Sequence, residues 1–154
     1  MTSTTRPAIA IPDGQEAAEQ AVAGFVAELQ QGWDANDAAI VDRHLSADVA
    51  WGSPYGATVH DFDTLYAIHQ RLKAAKAGGA SSRYEINRVL PVSSDVVVAH
   101  VARRTLDQNG QPLEPTGDTG GAFSEMAMYV LVRREGTWWL AAGQNTPIRP
   151  GGAA

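Results

Sequence analysis

The second half of the chain carries the pattern of four β-strands in direct succession, and this order constrains the fold more than any other feature. The segments are rich in β-branched and aromatic residues; they are Ser82–Val92, Val96–Thr105, Ala122–Arg134 and Thr137–Pro147. Asn109-Gly110 predicts a turn after the second segment, and Glu135-Gly136 predicts a two-residue hairpin turn between the last two. Strands without helices between them pair in an antiparallel sheet, so the sequence predicts an α+β fold.

The first half carries three helical patterns, and each begins at an aspartate suited to capping a helix. The caps are Asp13, Asp37 and Asp61. Glu16 completes a capping box with the first of them. Apolar periodicity extends the first helix to about Trp33 and a shorter second one to Leu45, whereas Gly78-Gly79 ends the third. A short hairpin around Pro54-Tyr55-Gly56 precedes the third helix, so the predicted order is α-α-β-β-α-β-β-β-β.

Length and charge set the domain count and exclude several classes of partner. The 154 residues fit one domain at 13–148, with a disordered leader at 1–12 and a disordered tail at 149–154. The net charge of −5 is expected to repel nucleic acid and anionic membranes. Cysteine is absent, which excludes disulfides and thiolate metal sites. Because the sequence shows neither a signal peptide nor a transmembrane segment, we expect a soluble cytoplasmic protein.

The last hairpin predicts a pocket on one of its faces. With a Glu135-Gly136 loop, one face carries Met126, Met128, Val130, Val132, Trp139, Ala141, Gly143 and Asn145. The side chains on this face are mostly apolar, and they become smaller toward one end. Helices lying over it would therefore leave room for a small molecule, which the single amide, Asn145, can orient. The alternative is that the small residues only let a helix pack closely.

The opposite face of this hairpin is also rich in large side chains and predicts a protein interface. A sheet that is apolar on both faces packs against something on each side. The simplest partner is a second copy of the chain. We therefore expect a homodimer, with an interface that includes Tyr129, Leu131, Trp138 and Leu140.

His69 is the residue that best fits acid–base chemistry. It shares a face of the third helix with Leu65, Ile68 and Leu72, so it is expected to point toward the sheet. Imidazole titrates near neutral pH, which suits a proton shuttle, and a histidine bonded within the core is the alternative. In the short hairpin, Trp51 and Tyr55 either stack on a flat ligand or fill core volume.

Motifs for a metal or a cofactor are absent from the sequence. No histidine pair has the i, i+4 spacing of a helical metal site, and no loop resembles a calcium site. The sequence also lacks G-x-G-x-x-G, a phosphate-binding loop and a nucleophile elbow. Any catalysis is therefore expected to use proton transfer, without metal or cofactor.

Four stretches of the chain are together typical of one family. They are Gly32–Asp37 (GWDAND), Asp48–Trp51 (DVAW), His69 on its helix and the closing segment Val130–Ile148, whose Gln-Asn-Thr-Pro end is the most specific part. They resemble the SgcJ/EcaC family of the SnoaL-like, nuclear-transport-factor-two-like superfamily, and the resemblance covers about residues 18 to 148. The chain departs from the family at His60-Asp61, where members often carry Gly-Arg.

This resemblance implies a cone-shaped α+β barrel, a homodimer formed by the outer face of the sheet, and a deep pocket between sheet and helices. It also implies a place in bacterial gene clusters for polyketide antibiotics, including enediynes. The superfamily contains cyclases, isomerases and dehydratases, and also members without catalysis.

We therefore expect a pocket protein that acts on, or holds, a polyketide-like intermediate by cofactor-free chemistry. His69 is the predicted proton shuttle and Asn145 the predicted donor that orients a substrate oxygen. The predicted pocket walls are Trp51, Tyr55, Met126, Met128 and Trp139. The alternative is a non-catalytic protein that stabilises an intermediate or docks on a biosynthetic enzyme.

Overall fold

A curved sheet wraps around the first helix in the computed structural model, which describes residues 5–75, 81–113 and 123–149. The helices within these ranges are α1 Gln15–Asp34, α2 Ala38–Val41 and α3 Phe62–Ala75. The strands are β1 Leu45–Gly52, β2 Thr58–Val59, β3 Ser82–Ser93, β4 Val96–Thr105, β5 Glu125–Arg134 and β6 Thr137–Pro147. This order confirms the predicted α+β arrangement.

The six strands form one sheet in the order β2-β1-β6-β5-β4-β3. Neighbouring strands are antiparallel except β1 and β6, which are parallel. Glu135 and Gly136 both have positive φ, at 51° and 78°, as the predicted two-residue hairpin turn requires. α1 packs against β3, and α3 packs against β1, so both helices lie on the same, concave face of the sheet.

The core lies between α1 and the concave face. Its helix side comes from apolar residues at helical spacing, namely Val22, Phe25, Val26 and Leu29. Its sheet side comes from alternate residues of three strands, including Val97, Leu131 and Leu140. These last three are at most 1% exposed. The concave face is therefore the one that carries Leu131 and Leu140, and the predicted orientation of the hairpin was wrong.

A β-bulge explains part of this difference. The predicted register holds from the turn as far as the pair Leu131–Leu140, but Val130 pairs with Ala142 because Ala141 is an extra residue on β6. Every later pair is shifted by one, so Asn145 lies opposite Ala127 and not Met126. The bulge moves Gly143 and Asn145 to the concave face, while Met126, Met128 and Trp139 lie on the outer face.

Two of the three predicted helix caps are confirmed. Ala39 N donates to Asp37 Oδ1 at 2.9 Å, and Thr64 N donates to Asp61 Oδ1 at 2.7 Å. The second of these hydrogen bonds holds the pKa of Asp61 below its ordinary value. The predicted capping box was wrong, because α1 begins after Gly14 with no side-chain cap and Asp13 has a φ of 59°.

The ends of the chain are described only in part. In the predicted leader, Ile11 N donates to Pro91 O at 3.0 Å, which joins the segment before α1 to β3. Predictions on residues 1–4, 76–80, 114–122 and 150–154 lie outside the described residues. None of the helices within the described ranges is long and apolar enough to cross a membrane.

Gly32 sets the distance between α1 and α2. A Cβ at this position would lie 2.7 Å from Val41 N, a backbone atom that cannot rotate away. We expect Gly32→Ala to lower the free energy of unfolding by about 1–3 kcal/mol through overpacking. Gly24 is the matched control, because it lies in the same helix and a Cβ added there would have no neighbour within 4 Å.

The Gly24→Ala variant is expected to raise the free energy of unfolding by about 0.5–1 kcal/mol, since alanine favours a helix. Urea denaturation of both variants measures the two effects. Equal stabilisation by both alanines would show that α1 and α2 are not in the close contact described.

Candidate functional site

Small residues form the floor of the concave face beside the core. They occupy neighbouring positions on three strands and are Ala99, Val101, Ala127 and Gly143. Larger side chains that face the same side stand around this floor and remain half-buried; they are Trp51, His69, Tyr84, Arg103 and Glu125. The surface between these partly exposed side chains and the floor is the candidate site, and it is called the recess below.

Gly143 lets two aromatic rings lie directly on the floor. A Cβ at this position would lie 2.8 Å from Trp51 Cζ3 and 3.3 Å from Tyr129 Cδ1. Phe25 of α1 meets the Tyr129 ring edge-on, with ring centroids 5.5 Å apart. The glycine was predicted to leave room for a ligand; in the structure its space is taken by the rings that form the walls.

A buried carboxylate orients His69. The Nδ1 atom of His69 lies 2.7 Å and 2.8 Å from the two carboxylate oxygens of Asp42. The Asp42 side chain is 1% exposed, whereas the His69 side chain retains 17%. Because a carboxylate only accepts hydrogen bonds, this contact places the imidazole proton on Nδ1 and leaves a lone pair on Nε2. Nε2 has no hydrogen-bond partner among the described residues.

Trp51 forms the wall beside this imidazole. The two rings meet edge-on, with centroids 5.8 Å apart and an angle of 85° between their planes. His69 therefore faces the sheet, as the helical pattern predicted. An aromatic wall beside a base lowers the local water content, which strengthens electrostatic interactions with any bound molecule.

Asn145 lies close to the same part of β1. Its side chain is buried at 9% exposure, and Nδ2 donates to Gly52 O at a long 3.4 Å. Gly52 follows Trp51, so Asn145 and His69 both adjoin the end of β1. The predicted inward direction of Asn145 is observed, although it arises from the bulge at Ala141 and not from the register that predicted it.

A second polar group lies on the concave face at the start of β5, next to the core residue Tyr129. Arg103 pairs with Glu125 and also donates to Ser82 Oγ at 2.8 Å. Two phenols lie nearby, those of Tyr84 and Tyr129. Burial raises the pKa of Tyr84 and of Tyr129 above the ordinary value for tyrosine, so both stay protonated as hydrogen-bond donors.

Four of the predicted wall residues and all four predicted interface residues need correction. Met126, Met128 and Trp139 lie on the outer face, and Trp139 meets the His44 ring there at 5.4 Å. Tyr55 is 69% exposed in the turn between β1 and β2, where it meets Phe123 edge-on. The predicted interface residues Tyr129, Leu131 and Leu140 are buried in the core of the chain itself, and Trp138 packs against that core on the same, concave face.

Asp42, Arg103, Glu125 and Tyr129 were not predicted as site residues. Asp42 had one sequence signal, since it is a single carboxylate between the apolar residues Val41 and Leu45. Glu125 lies on the concave face, where it forms a salt bridge with Arg103. Within the described ranges, no group of three histidine, aspartate or glutamate side chains can hold a metal ion.

Comparisons with known proteins show which fold this is. No family model matches the chain, and no curated protein matches it. A structure from Novosphingobium aromaticivorans, provisionally assigned as a scytalone dehydratase, is similar with a TM-score of 0.72 and 12% identity over 94% of this chain and 99% of that one.

A ketosteroid isomerase-like protein from Erwinia carotovora atroseptica has a TM-score of 0.63 and 16% identity over 91% of this chain and 100% of its own. An NTF-2-like protein of unknown function from Shewanella oneidensis has a TM-score of 0.67 and 8% identity over 83% and 98%. The chain therefore shares the nuclear-transport-factor-two-like fold, and at these identities the similarity concerns the fold alone.

Proposed function

We propose that this protein is a cofactor-free enzyme that moves a proton on a small organic molecule held in the concave recess. The observation that carries the proposal is the Asp42–His69 pair, in which a buried carboxylate fixes an imidazole whose other nitrogen has no partner among the described residues. Isomerisation, dehydration and cyclisation all begin with such a proton transfer.

The recess supplies each part of that step. His69 Nε2 takes a proton from a carbon next to a carbonyl group, and Asp42 stabilises the imidazolium that forms. Charge then develops on the carbonyl oxygen, where the neutral phenol of Tyr129 and the amide of Asn145 are the available donors. Return of the proton at another atom gives isomerisation. If the substrate carries a hydroxyl group on the β carbon, the imidazolium returns the proton to that group, its C–O bond breaks, and water leaves, which gives dehydration.

The substrate class in this proposal is a polyketide-like intermediate of the enediyne type, and the family is SgcJ/EcaC. The closing segment ending in Gln144–Pro147 supports this assignment, together with the fold shared with a ketosteroid isomerase-like protein. A cytoplasmic location belongs to the same proposal. The competing function, non-catalytic holding of an intermediate or docking on a biosynthetic enzyme, needs no oriented base, and the Asp42–His69 pair favours catalysis over it.

We also propose that the protein is a homodimer formed by the outer face of the sheet. This face, and not the one first predicted, carries apolar side chains that none of the helices in the described ranges covers, among them Met128 at 44% exposure. Val98 and Val130 lie opposite each other on this face, and both are half-buried, so they extend the apolar patch across β4 and β5. Exposed apolar groups on adjacent strands are typical of an interface.

A generic proton-abstraction substrate tests the catalytic proposal without knowledge of the natural one. In the ring opening of nitrobenzisoxazole, a base removes the carbon-bound proton, the N–O bond breaks and its electrons remain on the phenolate oxygen, which is detected by colour. We expect His69→Ala to lower the rate by about 10²–10⁴-fold.

His44→Ala is the matched control, because His44 also binds a carboxylate, Glu28, at 2.7 Å but does so away from the recess. This variant is expected to keep the wild-type rate. A His69→Ala variant that folds and retains the wild-type rate would contradict the catalytic proposal and leave the binding function in its place.

A further inference from the structure

The Arg103–Glu125 ion pair marks one end of the recess, at the start of β5, and leaves one carboxylate oxygen of Glu125 without a hydrogen bond from the described residues. Arg103 directs both Nε, at 3.0 Å, and Nη2 at the same atom, Glu125 Oε1. Its third group, Nη1, donates to Ser82 Oγ. The hydrogen-bonding capacity of the guanidinium is thus directed at protein atoms, while Glu125 Oε2 accepts no hydrogen bond from the described residues.

Tyr129 leaves a donor beside this acceptor. The two residues stand four positions apart on β5, so both face the concave side. Tyr129 is only 5% exposed, and its hydroxyl has no hydrogen-bond partner among the described residues. Since burial keeps this phenol and that of Tyr84 protonated, this end of the recess presents one carboxylate acceptor and two neutral phenols, of which Tyr84 is hydrogen-bonded to Trp33.

Stability alone does not account for this arrangement. A partly buried ion pair stabilises a fold little more than apolar residues of the same size. Glu125 Oε2 and the Tyr129 hydroxyl both lack a hydrogen-bond partner among the described residues, and neither atom is fully buried, so a ligand can reach them. Polar groups kept on a concave face in this state are expected where a ligand completes their hydrogen bonds. Glu125 and Tyr129 therefore mark a binding position and not only a structural contact.

The charges at this end select the chemistry of the ligand. A carboxylate of the ligand would be repelled by the free oxygen of Glu125, and an ammonium group of the ligand would be repelled by the charge of Arg103. Lys73, a further cation near this end, is buried over the ring of Trp33 at 3.2 Å and is not presented to the recess. A neutral hydroxyl group donates to the carboxylate without either repulsion.

We propose that this end of the recess binds a neutral phenolic or enolic hydroxyl group of the substrate, which donates to Glu125 Oε2, while a neighbouring carbonyl accepts from Tyr129. The substrate class is then a hydroxylated aromatic or enolic carbonyl compound. This inference rests on the proposed function, because it assigns the far end of the recess in which His69 acts.

Three probes that differ in one group test the inference by calorimetric titration. They are naphthol, which donates a hydrogen bond, methoxynaphthalene, which does not, and naphthoate, which carries a negative charge. We expect naphthol to bind the wild-type protein about 10- to 100-fold more tightly than either of the others, as for a hydrogen bond to a charged group. Nothing in this ranking requires a variant to fold.

The variant Glu125→Gln then tests whether Glu125 causes the preference for naphthol. The variant is expected to lose the naphthol preference and to gain affinity for naphthoate, because Arg103 keeps its charge. Glu85→Gln is the matched control, since Glu85 pairs with Arg104 at 3.3 Å on the outer face of the same sheet. This control is expected to keep the wild-type ranking of the three probes.

The outcomes separate the inference from the proposed function. Equal binding of the three probes, or an unchanged ranking in folded Glu125→Gln, would overturn the inference while the His69-dependent reaction still stands. Binding of none of the probes, together with no turnover of nitrobenzisoxazole, would overturn the recess as a site and the inference with it.

Discussion

Asp42→Asn is expected to lower the rate of nitrobenzisoxazole ring opening by about 10²–10⁴-fold while the fold is retained. The amide has the shape of the carboxylate, but its NH₂ group can donate to His69 Nδ1. The imidazole proton then moves to Nε2, which loses the lone pair that acts as the base. The equivalent change in the Ser-His-Asp triad lowers turnover about 10⁴-fold for the same reason.

Nitrogen chemical shifts of the His69 ring report this change without any substrate. The wild-type ring is expected to carry its proton on Nδ1, and the variant ring on Nε2. Glu28→Gln, which alters the partner of His44, is the control and should leave the rate unchanged. If Asp42→Asn keeps both the rate and the tautomer, the carboxylate does not orient the base.

Met128→Glu is expected to convert the proposed homodimer to a monomer in sedimentation experiments at micromolar concentration. The side chain is already 44% exposed in one chain, so glutamate is tolerated in the folded monomer. In the dimer the substitution brings two carboxylates to an apolar interface related by a twofold axis, where like charges lose their hydration and repel each other.

Ile9→Glu is the control for this prediction. Ile9 is also a large exposed apolar residue, at 56%, but it lies in the segment before α1 and outside the sheet. The control is expected to remain dimeric. A wild-type protein that sediments as a monomer, or a Met128→Glu variant that stays dimeric, would show that the outer face is not the interface.

Predictions that depended on local sequence were accurate. The strands Val96–Thr105 and Thr137–Pro147 are observed with the predicted bounds. Asp37 and Asp61 cap their helices because the bond joins a side chain to a backbone N–H two or three residues away. The prediction that Asp13 caps α1 was wrong, because its φ of 59° does not fit the geometry that a capping box needs.

The predictions of which hairpin residues face the helices were not accurate, because they required knowledge of a bulge in β6. Ala141 interrupts the pairing of β5 with β6, and nothing in an alternating sequence distinguishes a bulged alanine from a paired one. Both faces of the hairpin are apolar, so hydrophobicity did not indicate which face the helices cover. The charged residues Glu125 and Arg133 lie on the inner face, so in the sequence this face looked solvent-exposed. In the structure, Arg103 on a neighbouring strand neutralises Glu125.

The sequence by itself determined the order of helices and strands, the hairpin turn at Glu135-Gly136 and the position of His69 on the inward side of α3. These features follow from residue propensities and from periodicity within a few positions. Only the tertiary structure decided that His69 meets Asp42, 27 positions earlier in the chain, and that Glu125 meets Arg103, 22 positions earlier. Such pairs form because packing of distant segments excludes water from charged groups, which must then find partners across the fold.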